Sequence, residues 1–458
     1  MFVKCGKILS LVLGVIVLSS CGMNPKYVIE NEETLAKTRE AWKDRKDFPK
    51  LNKLDYQIPV YARYMKGIKV CLDPGHGGDQ NMKRYKRGPT DYREAIMNFK
   101  VANYLKEFLE ESGAIVKLTR EGDYEISLAD RVKLANEWGA DLFLSIHHNA
   151  ATPTVNRTTT WFHFDPDFQP ANVDFARYIQ HGVADALRLP QIDGVPLKSD
   201  QLMYDTGFGV LRGLNMVACL CEASFFTHPY EEYRLKKDNY LKREAYGHYL
   251  GFARYIWGGI PKAYLSNPEE GGSVHTKTPT LELFANTGFR TRKYSGSDKH
   301  WIFSDSVTAT VDGKKLPATF NKEKGIIEVK VEEPLTTGEH VVMGGFRNYN
   351  GNYSHPLEQK FIVDPPVNKI IVSASDESVI KNSTVGISIN VIDEDGEPVL
   401  DGTIVYLGVN KGSVKNDTLK TKDGMAYTDY LASDMPKEIR IIAVSEGRFG
   451  SSKINVIE

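Results

Sequence analysis

Three residues that can bind a metal or move a proton each follow an apolar run of the kind that forms a buried strand. They are His76, His147 and Glu222. If these runs are neighbouring parallel strands, the three side chains emerge at the same carboxyl edge, where open α/β sheets place their sites. Glu94 begins a segment with helical spacing that must start near that edge. We therefore expect two histidines and two glutamates from four segments of the chain to converge.

This set of side chains suits hydrolysis assisted by zinc. Two histidines and one glutamate are an established ligand set for catalytic zinc, which keeps a fourth position open for water. A second carboxylate that is not a ligand can accept a proton from water and pass it to a leaving amine. Single histidines at strand ends are often ordinary loop residues. The spacing alone therefore leaves a zinc site and a structural explanation both open.

The segment from residue 67 to residue 258 alternates between strand and helix patterns. Apolar runs of strand length predict strands at 68–72, 114–118, 142–146 and 217–221. Between and after them, apolar residues recur every three or four positions, which predicts helices. Ser127, with Asp130 three residues later, is typical of a helix N-cap. Such alternation predicts an α/β domain with a mainly parallel sheet flanked by helices on both faces.

An ordered series of motifs runs through this segment. It comprises Leu72-Asp73-Pro74-Gly75-His76-Gly77-Gly78, Glu94, Leu118-Thr119-Arg120, Ser145-Ile146-His147-His148-Asn149-Ala150, Val210-Leu211-Arg212 and Cys221-Glu222-Ala223-Ser224-Phe225. The series resembles the zinc-dependent N-acetylmuramoyl-L-alanine amidases of the type-3 family over about residues 67–257. The resemblance implies one zinc ion, Zn2+, bound by His76, Glu94 and His147, with Glu222 as the catalytic carboxylate. It further implies cleavage of peptidoglycan between N-acetylmuramic acid and the L-alanine of the stem peptide, in cell-wall remodelling or daughter-cell separation.

Two other functions stay open. A wall-binding or regulatory protein could keep this fold without catalysis, although such a protein is expected to have lost one of the four polar residues. A zinc peptidase acting elsewhere in the stem peptide would use a similar site, and only its products distinguish it from an amidase. The four intact residues favour an enzyme over a silent relative.

Other polar and aromatic residues of this segment have structural interpretations. His148 must point away from His147 if the chain is extended there, so we expect it to support the site or to lie on the surface. Arg120 and Arg131 are expected to be ion-pair partners. The basic stretch between Gly78 and Glu94 could shape a substrate lip, but a solvated loop is the simpler interpretation. Loop or packing roles are also expected for His163, His228, Trp161 and Trp301.

The first 21 residues predict export. Two lysines precede an apolar run at 8–18 that is too short to span a bilayer comfortably. Leu18-Ser19-Ser20-Cys21 resembles the bacterial lipoprotein box, which implies a lipid on Cys21 and anchoring to a membrane of the cell envelope. That membrane would be the outer one, facing the periplasm, if the envelope has two; an ordinary cleavable signal is the alternative. The charged residues 22–66 are interpreted as a tether.

The chain beyond residue 258 has a different pattern. Residues 259–277, rich in proline, glycine and polar residues, predict a linker. Short β-rich runs separated by turns then predict two all-β Ig-like sandwich domains at 278–364 and 367–458. The second of these resembles bacterial immunoglobulin-like repeats, whereas the first rests on pattern alone. We expect them to space the catalytic domain or to bind wall polymer or an envelope protein.

Charge and cysteine usage limit the remaining possibilities. The formal net charge is −1, so no nucleic acid is expected as a partner, since such ligands normally require a basic surface. Apart from Cys5 and Cys21 near the N-terminus, the cysteines are Cys71, Cys219 and Cys221. All three lie in apolar runs, which predicts buried thiols and not a disulfide framework.

Overall fold

The computed structural model describes residues 56–82, 85–164, 169–189, 191, 193–289, 301–435 and 437–458. The signal segment, Cys21 and the predicted tether up to residue 55 lie outside the described residues. The chain divides into two compact units, residues 1–260 and residues 261–458. No helix in the described ranges is both long enough and apolar enough to cross a membrane.

In its described residues, the first unit contains a six-stranded sheet and five α-helices. Its strands are β1 (Lys69–Pro74), β2 (Ile115–Leu118), β3 (Leu142–Asn149), β4 (Thr159–Phe162), β5 (Leu197–Ser199) and β6 (Val217–Phe225). Its helices are α1 (Glu94–Glu111), α2 (Leu128–Trp138), α3 (Pro170–Leu187), α4 (Pro229–Leu235) and α5 (Asp238–Trp257), with 3-10 turns at Val60–Met65 and Asp200–Leu202. The strand order is β2-β1-β3-β6-β4-β5, and β4 runs antiparallel to β6 while the other neighbours are parallel. The predicted α/β class with a mainly parallel sheet is confirmed.

The central strands of this sheet are buried along most of their length, because helices cover both of its faces. Cys71, Phe143 and Ala218 from three neighbouring strands pack with Ala135 of α2. The other helical layer is formed by α1, α3 and α5. Within it α3 and α5 approach closely, since a Cβ added at Gly182 would clash with the backbone of Gly247. The close approach brings α5 near the carboxyl end of β3.

The site strands begin and end at other residues than the apolar runs suggest. β3 continues to Asn149 and β6 to Phe225, so His147 and Glu222 lie within their strands and not after them. The two residues are cross-strand partners. Polar residues can continue a strand because the backbone hydrogen bonds do not depend on side-chain polarity. His147 and Glu222 therefore do lie close together near the carboxyl edge of the sheet, because their two strands pair directly.

The predicted tether also ends earlier than expected. Residues 56–66 were assigned to it because of their charged context, but Ala62 and Met65 are fully buried in the first unit. The Tyr56 hydroxyl donates a hydrogen bond to the backbone oxygen of Asn239 on α5 (3.3 Å). This segment is part of the first unit, because it packs against α5.

The regular elements described in the second unit are all strands, in two pairs of sheets. The first pair contains β7 (Lys262–Asn267), β8 (Ser273–Val274), β9 (Thr280–Asn286), β10 (Ile302–Val311), β11 (Lys314–Leu316), β12 (Ala318–Asn321), β13 (Ile326–Lys330), β14 (Gly338–Asn348) and β15 (Gln359–Val363). The second pair contains β16 (Lys369–Ala374), β17 (Ser378–Ile380), β18 (Thr384–Ile392), β19 (Ile404–Val409), β20 (Ser413–Val414), β21 (Thr418–Lys420), β22 (Met425–Leu431), β23 (Glu438–Ser445) and β24 (Arg448–Ile457). Each pair encloses its own apolar core. The all-β class is confirmed, and the immunoglobulin-like assignment stays a prediction.

The predicted linker at 259–277 is wrong for most of its length. β7 pairs with β9, and β8 pairs with β15, so both belong to the first pair of sheets. Ala263 and Leu265 of β7 are buried in its core. Two buried positions are too few for a visible alternation, and the surrounding prolines and glycines hid the strands from pattern analysis.

Candidate metal centre and active site

Three residues from three elements form a compact cluster at the carboxyl edge of the sheet. His76 lies after β1, Glu94 is the first residue of α1, and His147 is on β3. One potential metal-ligating atom from each lies within 4.8 Å of the others. His76 Nε2 is 3.1 Å from Glu94 Oε2, and His147 Nδ1 is 3.0 Å from Glu94 Oε1. The arrangement brings together the three residues that sequence analysis proposed as ligands.

The donor set fits a zinc ion. Two imidazoles and one carboxylate are typical of catalytic zinc. His76 Nε2 and Glu94 Oε2 are buried and face each other without hydrogen-bond geometry, and neither has a hydrogen-bond partner in the described part of the chain. Buried polar atoms are normally satisfied, so such a pair of atoms fits a site that binds a cation.

The backbone around His76 is shaped for this cluster. His76 has φ of 60°, a left-handed conformation that is uncommon outside glycine and that occurs often at functional sites. At the preceding residue, Gly75, an added Cβ would overlap the imidazole ring of His147. Glycine at position 75 therefore lets β1 and β3 bring their two histidines together, with ring centroids 4.8 Å apart.

The Glu94 carboxylate is held in a fixed orientation. Its Oε1 atom accepts hydrogen bonds from the backbone N–H of His148 (3.2 Å) and from Asn98 Nδ2 (3.3 Å). Burial raises the pKa of Glu94, but the neighbouring His76 and His147 outweigh burial and hold that pKa well below its usual range. Glu94 is therefore an anion with one oxygen held by donors and the other free to bind a metal.

Glu222 lies beside this cluster without belonging to it. It is the cross-strand partner of His147, and its buried Oε2 has no hydrogen-bond partner in the described ranges. Burial and the nearby charge of Glu94 raise the pKa of Glu222 to about 8, against the opposing charges of Lys86 and His148. A metal ion in the cluster would oppose this rise, because a bound cation is the largest local charge. An acid–base role requires such a tunable carboxyl group.

His148 supports the site from behind and does not lie on the surface. Its side chain is buried, with Nδ1 2.8 Å from Asn98 Oδ1 and Nε2 3.0 Å from Glu244 Oε2. Burial lowers the pKa of His148, but the Glu244 charge outweighs burial and raises it. For Glu244 the balance is reversed: burial raises its pKa, and His148 and His248 lower it to about 2. The two side chains form a buried ion pair.

A second buried network fixes the loop that carries His76. Arg131 Nη1 is 2.6 Å from Asp73 Oδ1 and also donates to the backbone oxygen of Pro74. Arg131 is thus the ion-pair partner that the sequence suggested. Arg120 instead donates to backbone oxygens, including those of Pro74 and Ala95. Its fully buried guanidinium also lies over the ring of Phe99, 5.1 Å from the ring centroid.

The other singled-out residues have structural contacts. His163 Nδ1 bonds Asp200 (2.8 Å), and the ring of Trp161 packs against Phe208. His228 accepts from the backbone N–H of Glu231 and so caps α4. In the second unit, Trp301 contacts Tyr349. In the loop between Gly78 and Glu94, Arg87 donates to the backbone oxygen of Gln80 (2.7 Å), so at least this basic residue holds the loop together.

Sequence analysis did not identify Asn98 or Glu244. Asn98 lies one helical turn after Glu94, a spacing that could have suggested contact between the two side chains. Glu244 gave no such signal, because it is 96 positions from its partner His148. Only the packing of α5 against the rest of the first unit brings it there.

Comparison with known proteins points to one family. Residues 70–254 match the family described as N-acetylmuramoyl-L-alanine amidase. The endolysin of Bacillus phage SPP1 is 30% identical over 258 residues, which are 54% of this chain and 91% of the endolysin. The sporulation-specific N-acetylmuramoyl-L-alanine amidase of Bacillus subtilis is 30% identical over 188 residues, and the match covers 40% of this chain and 66% of that protein.

Solved structures also match about two fifths of the chain. The N-acetylmuramoyl-L-alanine amidase from Clostridium difficile 630 is 28% identical and covers 42% of this chain and 97% of its own, with a TM-score of 0.37. The catalytic domain of CwlV from Bacillus (Paenibacillus) polymyxa is 26% identical and covers 41% and 98%, with a TM-score of 0.36.

Proposed function

Because the chain belongs to the N-acetylmuramoyl-L-alanine amidase family, we propose that it hydrolyses the amide bond between N-acetylmuramic acid and L-alanine in peptidoglycan. The observation that carries the proposal is the buried cluster of His76, Glu94 and His147 with Glu222 on the adjacent strand. This arrangement offers a cation site and a separate proton carrier at one edge of the sheet. Both are needed to attack an amide and release its nitrogen.

In this proposal His76, Glu94 and His147 hold one zinc ion. Zinc supplies Lewis acidity when bound, which polarises a carbonyl oxygen and makes water more acidic. The protein contributes the fixed orientation of the ligands. The backbone N–H of His148 and the Asn98 amide hold Glu94, and Arg131 donates to the backbone oxygen of His76 (3.0 Å).

Glu222 carries the proton in the proposed reaction. Its carboxylate accepts a proton from the attacking water and then donates it to the amide nitrogen, which leaves as the free amine of L-alanine. An amide nitrogen leaves poorly unless it is protonated as the bond breaks, so one positioned carboxyl group serves both steps. The buried environment of Glu222 supports this role, because burial raises the pKa of the carboxyl group and a bound cation opposes that rise, so the group can take up and release a proton.

Digestion of purified peptidoglycan tests the proposed bond. Mass analysis should find stem peptides with a free L-alanine amine and glycan strands of unchanged length. Shorter peptides with L-alanine still linked to muramic acid would identify a zinc peptidase instead. Digestion with Glu222→Gln protein is the matched control, because any contaminating hydrolase would act equally in both samples.

We also propose that the protein works at a membrane of the cell envelope, anchored by lipid on Cys21. The proposal is supported by the basic start, the short apolar run and the Leu18–Cys21 motif. Cys21→Ser should abolish labelling by a radioactive fatty acid and move the protein from the membrane fraction to the soluble fraction, or leave it unprocessed. Unchanged labelling and processing of the variant would contradict the proposed anchor.

A further inference from the structure

Three fully buried side chains form a chain of hydrogen bonds that ends on the proposed zinc ligand Glu94. Glu244 of α5 pairs with His148 Nε2 (3.0 Å), and His148 Nδ1 pairs with Asn98 Oδ1 on α1 (2.8 Å). Asn98 Nδ2 then donates to Glu94 Oε1 (3.3 Å). The three side chains come from α5, β3 and α1, so the chain of bonds connects the sheet and two helices of the first unit to one ligand.

With Glu244 as a carboxylate, donor and acceptor requirements fix the arrangement of this chain. Asn98 Nδ2 also donates to the backbone oxygen of Gly75 (3.2 Å), so its amide group faces Glu94 and its oxygen must face His148. Both ring nitrogens of His148 therefore meet acceptors, and both donate. The carboxylate of Glu244 is the acceptor that completes the series. Loss of this carboxylate would leave a buried donor unsatisfied and free the ring and the Asn98 amide to rotate.

Packing alone does not explain why an ion pair, Glu244 with His148, is buried in the core. Replacing a buried ion pair with apolar residues of similar volume is often neutral or stabilising, so ionic groups in a core call for another explanation. The chain of bonds supplies one, because it leads to Glu94 and to the backbone that precedes His76. Polar groups that orient metal ligands commonly have this form.

We propose that Glu244 and His148 are positioning residues that hold Glu94 ready for metal binding through Asn98. The inference rests on the proposed function, since it concerns the affinity of the proposed zinc site. Neither residue contacts the metal or the substrate in this proposal. Their contribution is to keep one oxygen of Glu94 engaged and the other directed at His76 Nε2, 3.1 Å away.

Zinc affinity measured by competition with a chromophoric chelator tests this inference directly. Glu244→Leu removes the acceptor but keeps the volume, and we expect zinc binding to weaken about 10- to 100-fold, the usual effect of losing such support. Glu244→Gln keeps an acceptor oxygen and should recover at least half of that loss on a logarithmic scale. If Glu244→Leu does not fold, His148→Leu breaks the chain at the next bond and should weaken zinc binding similarly.

Tyr249→Phe is the matched control. Tyr249 is also a buried residue of α5, and its hydroxyl bonds Ser112 Oγ just after α1 (2.8 Å), so its loss removes a contact of the same helix away from Glu94. This variant should lower the melting temperature without changing zinc affinity. Equal zinc affinity in wild type, Glu244→Leu and Tyr249→Phe would contradict the positioning role.

A double variant tests whether the effect passes through Asn98. If it does, Glu244→Leu combined with Asn98→Ala should bind zinc as Asn98→Ala alone does, because the shared route is already broken. If the two substitutions instead weaken zinc binding independently, so that their fold-reductions in affinity multiply, the proposed route is contradicted. A wild-type protein that takes up no zinc would instead reject the proposed function, so the two failures are distinguishable.

Discussion

Among the described residues, the first unit buries many more charged side chains than the second, in which Asp393 is a buried exception. The first unit encloses charged groups from several elements, among them Asp73, Glu94, Arg131 and Glu244. The cores of the second unit consist of valine, isoleucine, leucine, alanine and a few aromatic residues on alternating strand positions. Burying a charge costs free energy unless partners compensate for it. The proposed site residues belong to the charged, buried part of the first unit.

The largest effect is expected when a proposed ligand is removed. His147→Ala should reduce bound zinc far below one ion per chain and lower amidase activity about a thousandfold or more, because zinc supplies several kcal/mol of transition-state stabilisation. Metal analysis and a turnover assay measure both quantities. His148→Ala is the neighbouring control and should still take up about one zinc ion when zinc is saturating. Equal zinc loss in both variants would contradict the assignment of His147.

The buried charges of the first unit should also matter for stability. Burial raises the pKa of Asp73, but Arg131 and hydrogen bonds from Ser145 and Thr119 outweigh burial and lower it. Arg131→Met leaves this carboxylate without its cation, so the free energy of unfolding should fall by about 3–5 kcal/mol in urea denaturation.

A surface pair of the second unit is the comparison. Lys453 and Glu438 are 2.9 Å apart and both more than half exposed. Because water screens such pairs, Glu438→Gln should leave the urea midpoint unchanged within error. If Arg131→Met and Glu438→Gln lowered the free energy of unfolding by similar amounts, the proposed difference between buried charges of the first unit and surface charges of the second would be contradicted.

A smaller effect on the free energy of unfolding, one that depends on pH, is expected from a buried histidine of the second unit. Burial, together with the charge of Lys262, lowers the pKa of His355 from 6.5 to about 4. The folded unit therefore favours the neutral ring. The contribution of neutral His355 to the free energy of unfolding is complete above pH 6.5 and is lost as the pH falls towards 4. The shift corresponds to at most about 3 kcal/mol. Urea denaturation of residues 261–458 should show this loss, and His355→Gln should be less sensitive to acid over the same range.

The smallest effect is expected from removing the second unit. A protein of residues 56–260 contains the sheet, its helices and all four proposed site residues, and a unit with its own core folds alone in most cases. Its turnover of soluble muropeptides should stay within about twofold of the full chain. Turnover of insoluble walls should fall if the β strands bind wall polymer. A zinc-loaded but inactive 56–260 protein would show that the second unit takes part in catalysis.

Local patterns were sufficient to predict the strands that carry the site. The runs before His76, His147 and Glu222 are continuous and apolar because buried parallel strands require this, and the helix that begins at Glu94 shows its period clearly. β7 and β8 were missed because each buries too few residues to produce a pattern. Glu244 was missed for another reason, since its role arises from a contact with His148 across the tertiary fold.

The most direct test of the account is the behaviour of Glu222→Gln. The variant keeps the shape of the side chain but can no longer accept the proton, so we expect normal zinc content and an unchanged melting temperature. Amide cleavage should be about a hundred- to ten-thousandfold slower, the usual contribution of a positioned acid–base group. Zinc content by metal analysis and release of peptides with a free L-alanine amine provide both readouts on one sample. Near-normal turnover, or loss of zinc from this variant, would contradict the division between metal ligands and proton carrier.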